Sequence, residues 1–318
     1  MSITFLPEVP DMTASAVTIG VFDGVHRGHQ ELIANLVQRA KELSLPSVVL
    51  TFDQHPANIL APNLAPKMIT SLDDKISLIE SLGVDHVVVI PFSKEWSRQS
   101  AKDFVTEVLV GKLKVKVLMV GKDFRFGRDR KGDVSTLISM GSELGFLAIG
   151  YDLVKKVQGS ENLDEVISST LIRKLITEGD IEQVALMLGR LPFFSGEVVK
   201  GDNRGGRELG FPTANLVFDP KVVIPGTGVY ATFVDLGDGK LIPSATSVGT
   251  RPTFLEGAEV SFETFIIDFD GNLYGKKLQV HLVKKIRDDL KFENRESLIA
   301  RMHQDVADTQ AILSTIKV

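Results

Sequence analysis

The first half of the chain alternates two textures. Residues 17–22, 47–52, 86–90, 116–120 and 146–150 are nearly unbroken β-branched and apolar runs, the pattern of strands buried on both faces. Between them, residues 30–43, 73–82, 101–110 and 134–144 carry apolar positions three and four apart, as amphipathic helices do. The alternation predicts an α/β domain with a parallel sheet and helices on both faces. Ligands in such domains bind beyond the carboxyl ends of the strands, so the loops after Phe22, Phe52 and Val120 are where to search.

After helical stretches at 169–177 and 181–188, the texture changes. From Phe193 the chain is rich in strand patterns and glycine, with clear strands at 228–234 and 260–267. Asp270-Gly271-Asn272 reads as a hairpin turn, and an amphipathic helix is expected over 295–313 with Asn294 as its N-cap. This half is expected to be a small β-barrel closed by a terminal helix. The boundary falls near 188–192, giving units 1–187 and 188–318.

Composition narrows the chemistry. With 318 residues the chain has room for about two domains. Lys and Arg total 36 against 41 Asp and Glu, a formal charge of −5. That balance argues against nucleic acid or an anionic membrane as the main partner, but leaves small phosphorylated ligands open. There is no cysteine, which excludes disulfides, thiolate nucleophiles and cysteine-based metal centres. The start lacks a basic, apolar leader pattern, and no apolar run reaches the ~18 residues of a membrane helix. The expectation is a soluble cytoplasmic protein, a monomer or weak homo-oligomer.

The first candidate site is the run Gly20-Val-Phe-Asp-Gly-Val-His-Arg-Gly-His-Gln30, which leaves a strand and enters a helix. His26 and His29 are three apart at the helix start and so share a face, with Gly28 between them permitting close approach. The helix N-terminus adds unpaired N–H groups and a positive dipole, which suits phosphates. A capped helix with two surface histidines is the bland alternative. A metal site is disfavoured because the other histidines are scattered. A second segment, Ile167-Ser-Ser-Thr-Leu-Ile-Arg173, sets hydroxyls of Ser168, Ser169 and Thr170 one turn before a cation, a set able to hold a polyphosphate or simply to cap a helix. Thr51 to Pro56, containing His55, and Gly121 to Gly127, containing Asp123, Phe124, Arg125 and Phe126, follow two further strands. Their aromatics either stack on a planar ligand or pack the turn.

The second candidate site is Gly201-Asp-Asn-Arg-Gly-Gly-Arg-Glu-Leu-Gly-Phe-Pro-Thr-Ala-Asn215. Its glycines, Gly201, Gly205 and Gly210 among them, let backbone N–H groups wrap phosphates, or make a flexible surface loop. Thr213 and Asn215 are two apart, so in an extended segment both side chains point the same way as a neutral oxygen pair for Mg²⁺. Glu263 lies in a strand whose two faces are both largely apolar. It reads either as a partly buried carboxylate with its pKa raised toward general-base use, or as an ordinary solvent-facing glutamate.

Taken together, the His26-x-Gly28-His29 and Ser168-Ser-Thr-x-x-Arg173 motifs resemble those of the nucleotidyltransferase superfamily. With the 51–56 and 121–127 loops they resemble the bacterial FMN adenylyltransferases. From Gly210-Phe-Pro-Thr-Ala-Asn215 through Pro225 to Tyr230, Ser247 to Thr253, Glu263, Leu273 to Gly275 and Arg287 to Phe292, the second half resembles riboflavin kinase in order. The resemblance spans nearly the whole chain and is to the bifunctional riboflavin kinase/FMN adenylyltransferase family. Departures are small: Gln54 stands where proline is usual, Asp123 where some members have asparagine, and Phe265 where histidine is common.

The resemblance implies a Rossmann-like nucleotidyltransferase domain followed by a riboflavin kinase barrel. It implies that riboflavin, FMN and ATP are substrates, that FAD is the product and that Mg²⁺ is a cofactor. ATP would meet Phe22, Asp23, Gly24, His26, Gly28, His29, Ser168–Thr170 and Arg173 in the first domain. FMN would meet His55, Pro56, Asp123, Phe124, Arg125 and Phe126. In the kinase, ATP would meet Gly201, Gly205, Gly210, Phe211, Thr213 and Asn215, the last two holding Mg²⁺. Glu263 would act as base and Arg287 would order the flavin side, while His29 and Arg173 would be catalytic in adenylyl transfer. A single-activity enzyme with one degenerate domain, or a non-catalytic flavin binder, stays open at this point.

Overall fold

The computed structural model describes residues 2–152, 166–200, 211–251 and 259–316. The chain divides into two compact units, Met1–Ser169 and Thr170–Val318.

In the first unit, β1 (Ser2–Phe5), β2 (Ser15–Ile19), β3 (Ser47–Phe52), β4 (His86–Ile90), β5 (Val115–Gly121) and β6 (Leu147–Tyr151) form one sheet in the order β1-β4-β3-β2-β5-β6. Every pairing is parallel. Strand alternation divides the core between the two faces. Val49, Val87, Val89 and Met119 pack beneath Leu32, Ile33 and Leu36 of α1 (Arg27–Glu42) and Ile76 and Ile79 of α2 (Leu72–Glu80). Val48, Leu50, Val88, Ile90 and Leu118 pack beneath Phe104, Val105 and Leu109 of α3 (Phe104–Lys112) and Leu137 of α4 (Val134–Leu144). Helices on both faces are as the pattern predicts. The edge strand β1 was not expected, because it is four residues long and its Ile3 and Phe5 are exposed. Helix α3 closes wider π-type turns over nine residues, a feature the 3.6-residue spacing does not encode.

The second unit takes in α5 (Ser169–Glu178) from Thr170 onward and α6 (Ile181–Leu188), and Glu182 of α6 pairs with Lys284 of the barrel at 2.9 Å. Strands β7 (Phe193–Val199), β8 (Thr213–Val217), β9 (Gly228–Asp235), β10 (Leu241–Arg251), β11 (Glu259–Ile266) and β12 (Lys277–Arg287) close a barrel in the order β10-β11-β8-β7-β12-β9. Its interior holds a chain of buried hydroxyls: Thr232 bonds Ser244 at 2.7 Å and Thr246 at 2.9 Å, and Thr246 bonds Thr264 at 3.0 Å. These groups satisfy one another across three strands and so fix their register. The expected hairpin at Asp270–Asn272 is not one. β11 pairs with β10 and β8, and β12 with β7 and β9, so the turn is a crossover between non-neighbours. Local turn chemistry reports a reversal, not which strand lies alongside.

Helix α7 (Arg295–Leu313) starts where expected, with Asn294 accepting from the Ser297 N–H at 2.8 Å. Leu313 packs with Phe233, Ala231 and Val283 of the barrel. Its second anchor is polar. Asp305, 4% exposed, accepts from Arg287 Nε and Nη2 at 2.8–3.1 Å and from Arg301 at 2.9 Å. Removing one partner of such a buried pair strands the other charge, so Asp305→Ala should cost the second unit about 3–5 kcal/mol. Urea unfolding followed by circular dichroism measures it, and an unchanged midpoint would contradict the assignment.

Candidate functional site

The first site lies where the sheet reverses direction. From β2 the chain proceeds to β3 and β4 on one side, then returns to place β5 and β6 on the other. The crevice beyond the carboxyl ends of β2 and β5 is thus a topological switch point, the usual ligand position in such sheets. The three searched loops leave β2, β3 and β5, which are consecutive neighbours in the sheet.

After β2 the backbone turns tightly, with positive φ at Phe22 (50°), Gly24 (76°) and Val25 (40°). For a β-branched residue this is strained, of order 1–3 kcal/mol, and such strain gathers at functional sites. Glycine eases the turn at position 24, where φ is positive and a Cβ would press on the Ile69 side chain, 2.9 Å from its Cδ1. Asp23 holds the turn. Its buried Oδ1 accepts from the Ile69 and Thr70 N–H groups at 2.8 and 3.4 Å, and its carbonyl accepts from the Ser169 hydroxyl at 3.0 Å. The structure therefore gives the Asp23 carboxylate a scaffold role, although the sequence placed it among nucleotide-facing residues.

His26 is buried and caps α1, its Nδ1 accepting from the His29 N–H at 3.4 Å. The two imidazoles stack at 3.6 Å between centroids, inclined 18°, and Phe22 lies edge-on to His29 at 5.2 Å. Gly28 is buried between them. The buried Nδ1 of His29 has no hydrogen-bond partner among the described residues. Burial first, then the charges of His26 and Lys75, holds His29 well below its ordinary 6.5. It is therefore neutral near pH 7, offering one N–H donor. A negative charge placed beside the ring would favour its charged form.

Ser168 and Ser169 are half-buried and Thr170 is exposed, at the start of α5, with half-buried Arg173 one turn beyond Ser169. In the loop after β3, His55 Nδ1 accepts from the Ala57 N–H at 3.1 Å and Pro56 opens a short helical turn. In the loop after β5, Asp123 is exposed and Arg125 pairs with Asp133 at 2.8 Å. Phe124 stacks on Phe126 at 5.7 Å, and Phe126, 7% exposed, packs on Phe104 in the core. Of the two readings of these aromatics, Phe126 packs the turn against the core, while Phe124 is half-buried.

One residue at this end of the sheet escaped the sequence reading. Lys75 of α2 is 1% exposed, and its ammonium donates to the carbonyls of Phe52 at 2.7 Å and Val21 at 3.2 Å. Its signal was positional: a lysine beside Ile76 and one turn before Ile79, on the stripe that should be apolar.

The second site is on the outer face of the barrel. The β8–β11 register sets Glu263 directly opposite Asn215 and Phe265 opposite Thr213, so all four project from the same face. Glu263, Asn215 and Thr213 are half-buried, while Phe262 and Thr264 on the other face fill the interior. Phe211 is buried and meets Phe265 edge-on at 5.2 Å and His303 of α7 at 4.9 Å. Gly201, Gly205 and Gly210 lie outside the described residues. Arg287, expected to order the flavin side, is held in the fork to Asp305, with its guanidinium 5.7 Å from the Phe292 ring. It joins barrel to helix.

Three hard oxygen donors, a hydroxyl, an amide and a carboxylate, share that barrel face. No group of three or more His, Cys, Asp or Glu able to hold a metal occurs among the described residues. This donor set fits a Mg²⁺ that arrives with a nucleotide and keeps phosphate and water ligands, not one caged by protein alone.

A parallel sheet with a crevice at its switch point and a closed barrel bearing an oxygen-donor face are the two halves of a bifunctional transferase. Residues 9–171 match the family described as FAD synthetase, and residues 188–313 the one described as riboflavin kinase. A bifunctional riboflavin kinase/FMN adenylyltransferase of Escherichia coli is 38% identical over 290 residues, covering 91% of this chain and 90% of the relative. One from Bacillus subtilis is 34% identical over 310 residues, covering 96% and 95%. A crystal structure described as a macrolide-efflux protein from Streptococcus pneumoniae has a TM-score of 0.83 at 30% identity, covering 94% and 95%. In the present chain no described helix is long and apolar enough to cross a membrane. The chain belongs to the bifunctional riboflavin kinase/FMN adenylyltransferase family.

Proposed function

We propose that the barrel phosphorylates riboflavin with ATP to give FMN and ADP, and that the α/β domain joins FMN to the adenylyl group of a second ATP, releasing pyrophosphate and forming FAD. The observation that carries the kinase assignment is the register that puts Glu263 across from Asn215, with Thr213 on the same face. Glu263 accepts the proton of the riboflavin 5′-hydroxyl as that oxygen attacks the γ-phosphorus. Thr213 and Asn215 would hold Mg²⁺, which when bound neutralises charge on the phosphoryl group.

In adenylyl transfer the FMN phosphate attacks the α-phosphorus and needs no strong base. The protein's work there is positioning and charge stabilisation. His26 and His29 orient the triphosphate at the α1 N-terminus. Arg173 and the hydroxyls of Ser168, Ser169 and Thr170 steady the leaving pyrophosphate. His55, Pro56, Asp123, Phe124 and Arg125 border the flavin nucleotide. The division between activities lies near 187/188. The protein works in the cytoplasm as a monomer or weak homo-oligomer, without nucleic-acid or membrane partners. Separation of products from riboflavin, ATP and Mg²⁺ tests the reading: FMN and then FAD are expected.

A further inference from the structure

We propose that Lys75 is a positioning residue for adenylyl transfer: its buried ammonium clamps the carbonyl ends of β2 and β3 and sets a fixed positive charge behind His29. The inference rests on the adenylyltransferase reading above. A lysine side chain that is 1% exposed is costly unless its donors are satisfied and its charge is used. Two of its three donors are accounted for by Val21 O at 3.2 Å and Phe52 O at 2.7 Å. These carbonyls begin the two loops that carry His26 and His29 on one side and His55 on the other. A single cation thereby ties the nucleotide-facing turn to the flavin-facing one. Hydrogen bonds from a charged donor are the stronger kind.

The charged and titratable neighbours come from the turn before α1, the loop after β3 and α1 itself. Asp23 in the turn before α1 and Asp53 after β3 favour the ammonium, and His29 of α1 is in turn held neutral partly by it. On its own helix Asp74 is taken up by the Ser71 hydroxyl at 2.6 Å. Burial outweighs the two carboxylates and brings Lys75 from 10.5 down to about 8. The sign follows: the charge is present below about pH 8 and is lost as pH rises through that value. The neutral amine keeps two donors but no longer repels a proton from His29 or adds positive field at the crevice.

The test uses the intact protein and two substitutions. FAD formation from supplied FMN and FMN formation from riboflavin are measured between about pH 6 and 10, and the His29 ring is titrated by nitrogen-correlated NMR, assigned with His29→Gln. Wild type should lose adenylyl-transfer kcat/KM above about pH 8 while the kinase reaction, using the same ATP, does not. Lys75→Arg should keep the charge and abolish that alkaline loss. Lys75→Met should lower adenylyl-transfer kcat by about 10²-fold, the scale of a small misplacement, and move the His29 titration upward. If Lys75→Met does not fold, the wild-type profile and Lys75→Arg decide. An adenylyl-transfer profile no different from that of the kinase, or a Lys75→Met protein with wild-type kcat and unshifted His29, would overturn the proposal. Absence of any FAD from wild type would sink the functional reading instead, and the His29 titration would still judge Lys75.

Discussion

Glu263→Ala should stop FMN formation yet leave FAD formation from supplied FMN intact. General-base catalysis contributes about 10²–10⁴-fold, so kinase kcat should fall by that factor. The fold gives a reason to expect a clean result. Glu263 projects from the outer face of β11, while the barrel core is filled by Phe262, Thr264 and Ile266 from the opposite face. Truncating an outer-face side chain opens no interior cavity. The first unit has its own sheet and core. Unimpaired kinase turnover in this variant would remove Glu263 as the base.

The second large effect is expected from His29→Ala combined with Arg173→Ala: riboflavin should be converted to FMN, and FMN should accumulate. Losing one preorganised donor to developing charge costs about 10²–10³-fold, and two that serve the same charge are not additive. The two residues act by different physics. His29, held neutral by burial, would offer a directed N–H. Arg173 would bring a guanidinium able to fork onto phosphate oxygens. A normal yield of FAD from the double variant would exclude both from the mechanism.

What could be read in the sequence, and what could not, follows the range of the interactions. Strand-to-helix alternation is local, so the parallel sheet, the helices on both faces and the crevice beyond β2 were legible. The N-cap of α7 by Asn294 was legible for the same reason. Period-two alternation likewise placed Thr213 with Asn215, and Glu263 apart from Phe262. Register was not legible. Nothing near Glu263 in sequence says that Asn215 lies opposite, and nothing in Asp270-Gly271-Asn272 says that its flanking strands are not neighbours.

Three residues show how side-chain partners escape pattern reasoning. Asp23 is turned to the Ile69 and Thr70 N–H groups, Arg287 to Asp305, and Phe126 into the core beside Phe104. Each partner is at least eighteen positions away in the chain. Lys75 is the reverse case, a residue type that reads as solvated helix surface until two distant carbonyls are seen to end on it.

The central claim is that one chain carries out both steps in order. The most direct measurement is a chromatographic time course of the wild-type protein with riboflavin, ATP and Mg²⁺. Riboflavin should give FMN and then FAD, with ADP and pyrophosphate as co-products. A reaction that stops at FMN and does not adenylylate added FMN, or one that accepts FMN but leaves riboflavin untouched, would contradict it.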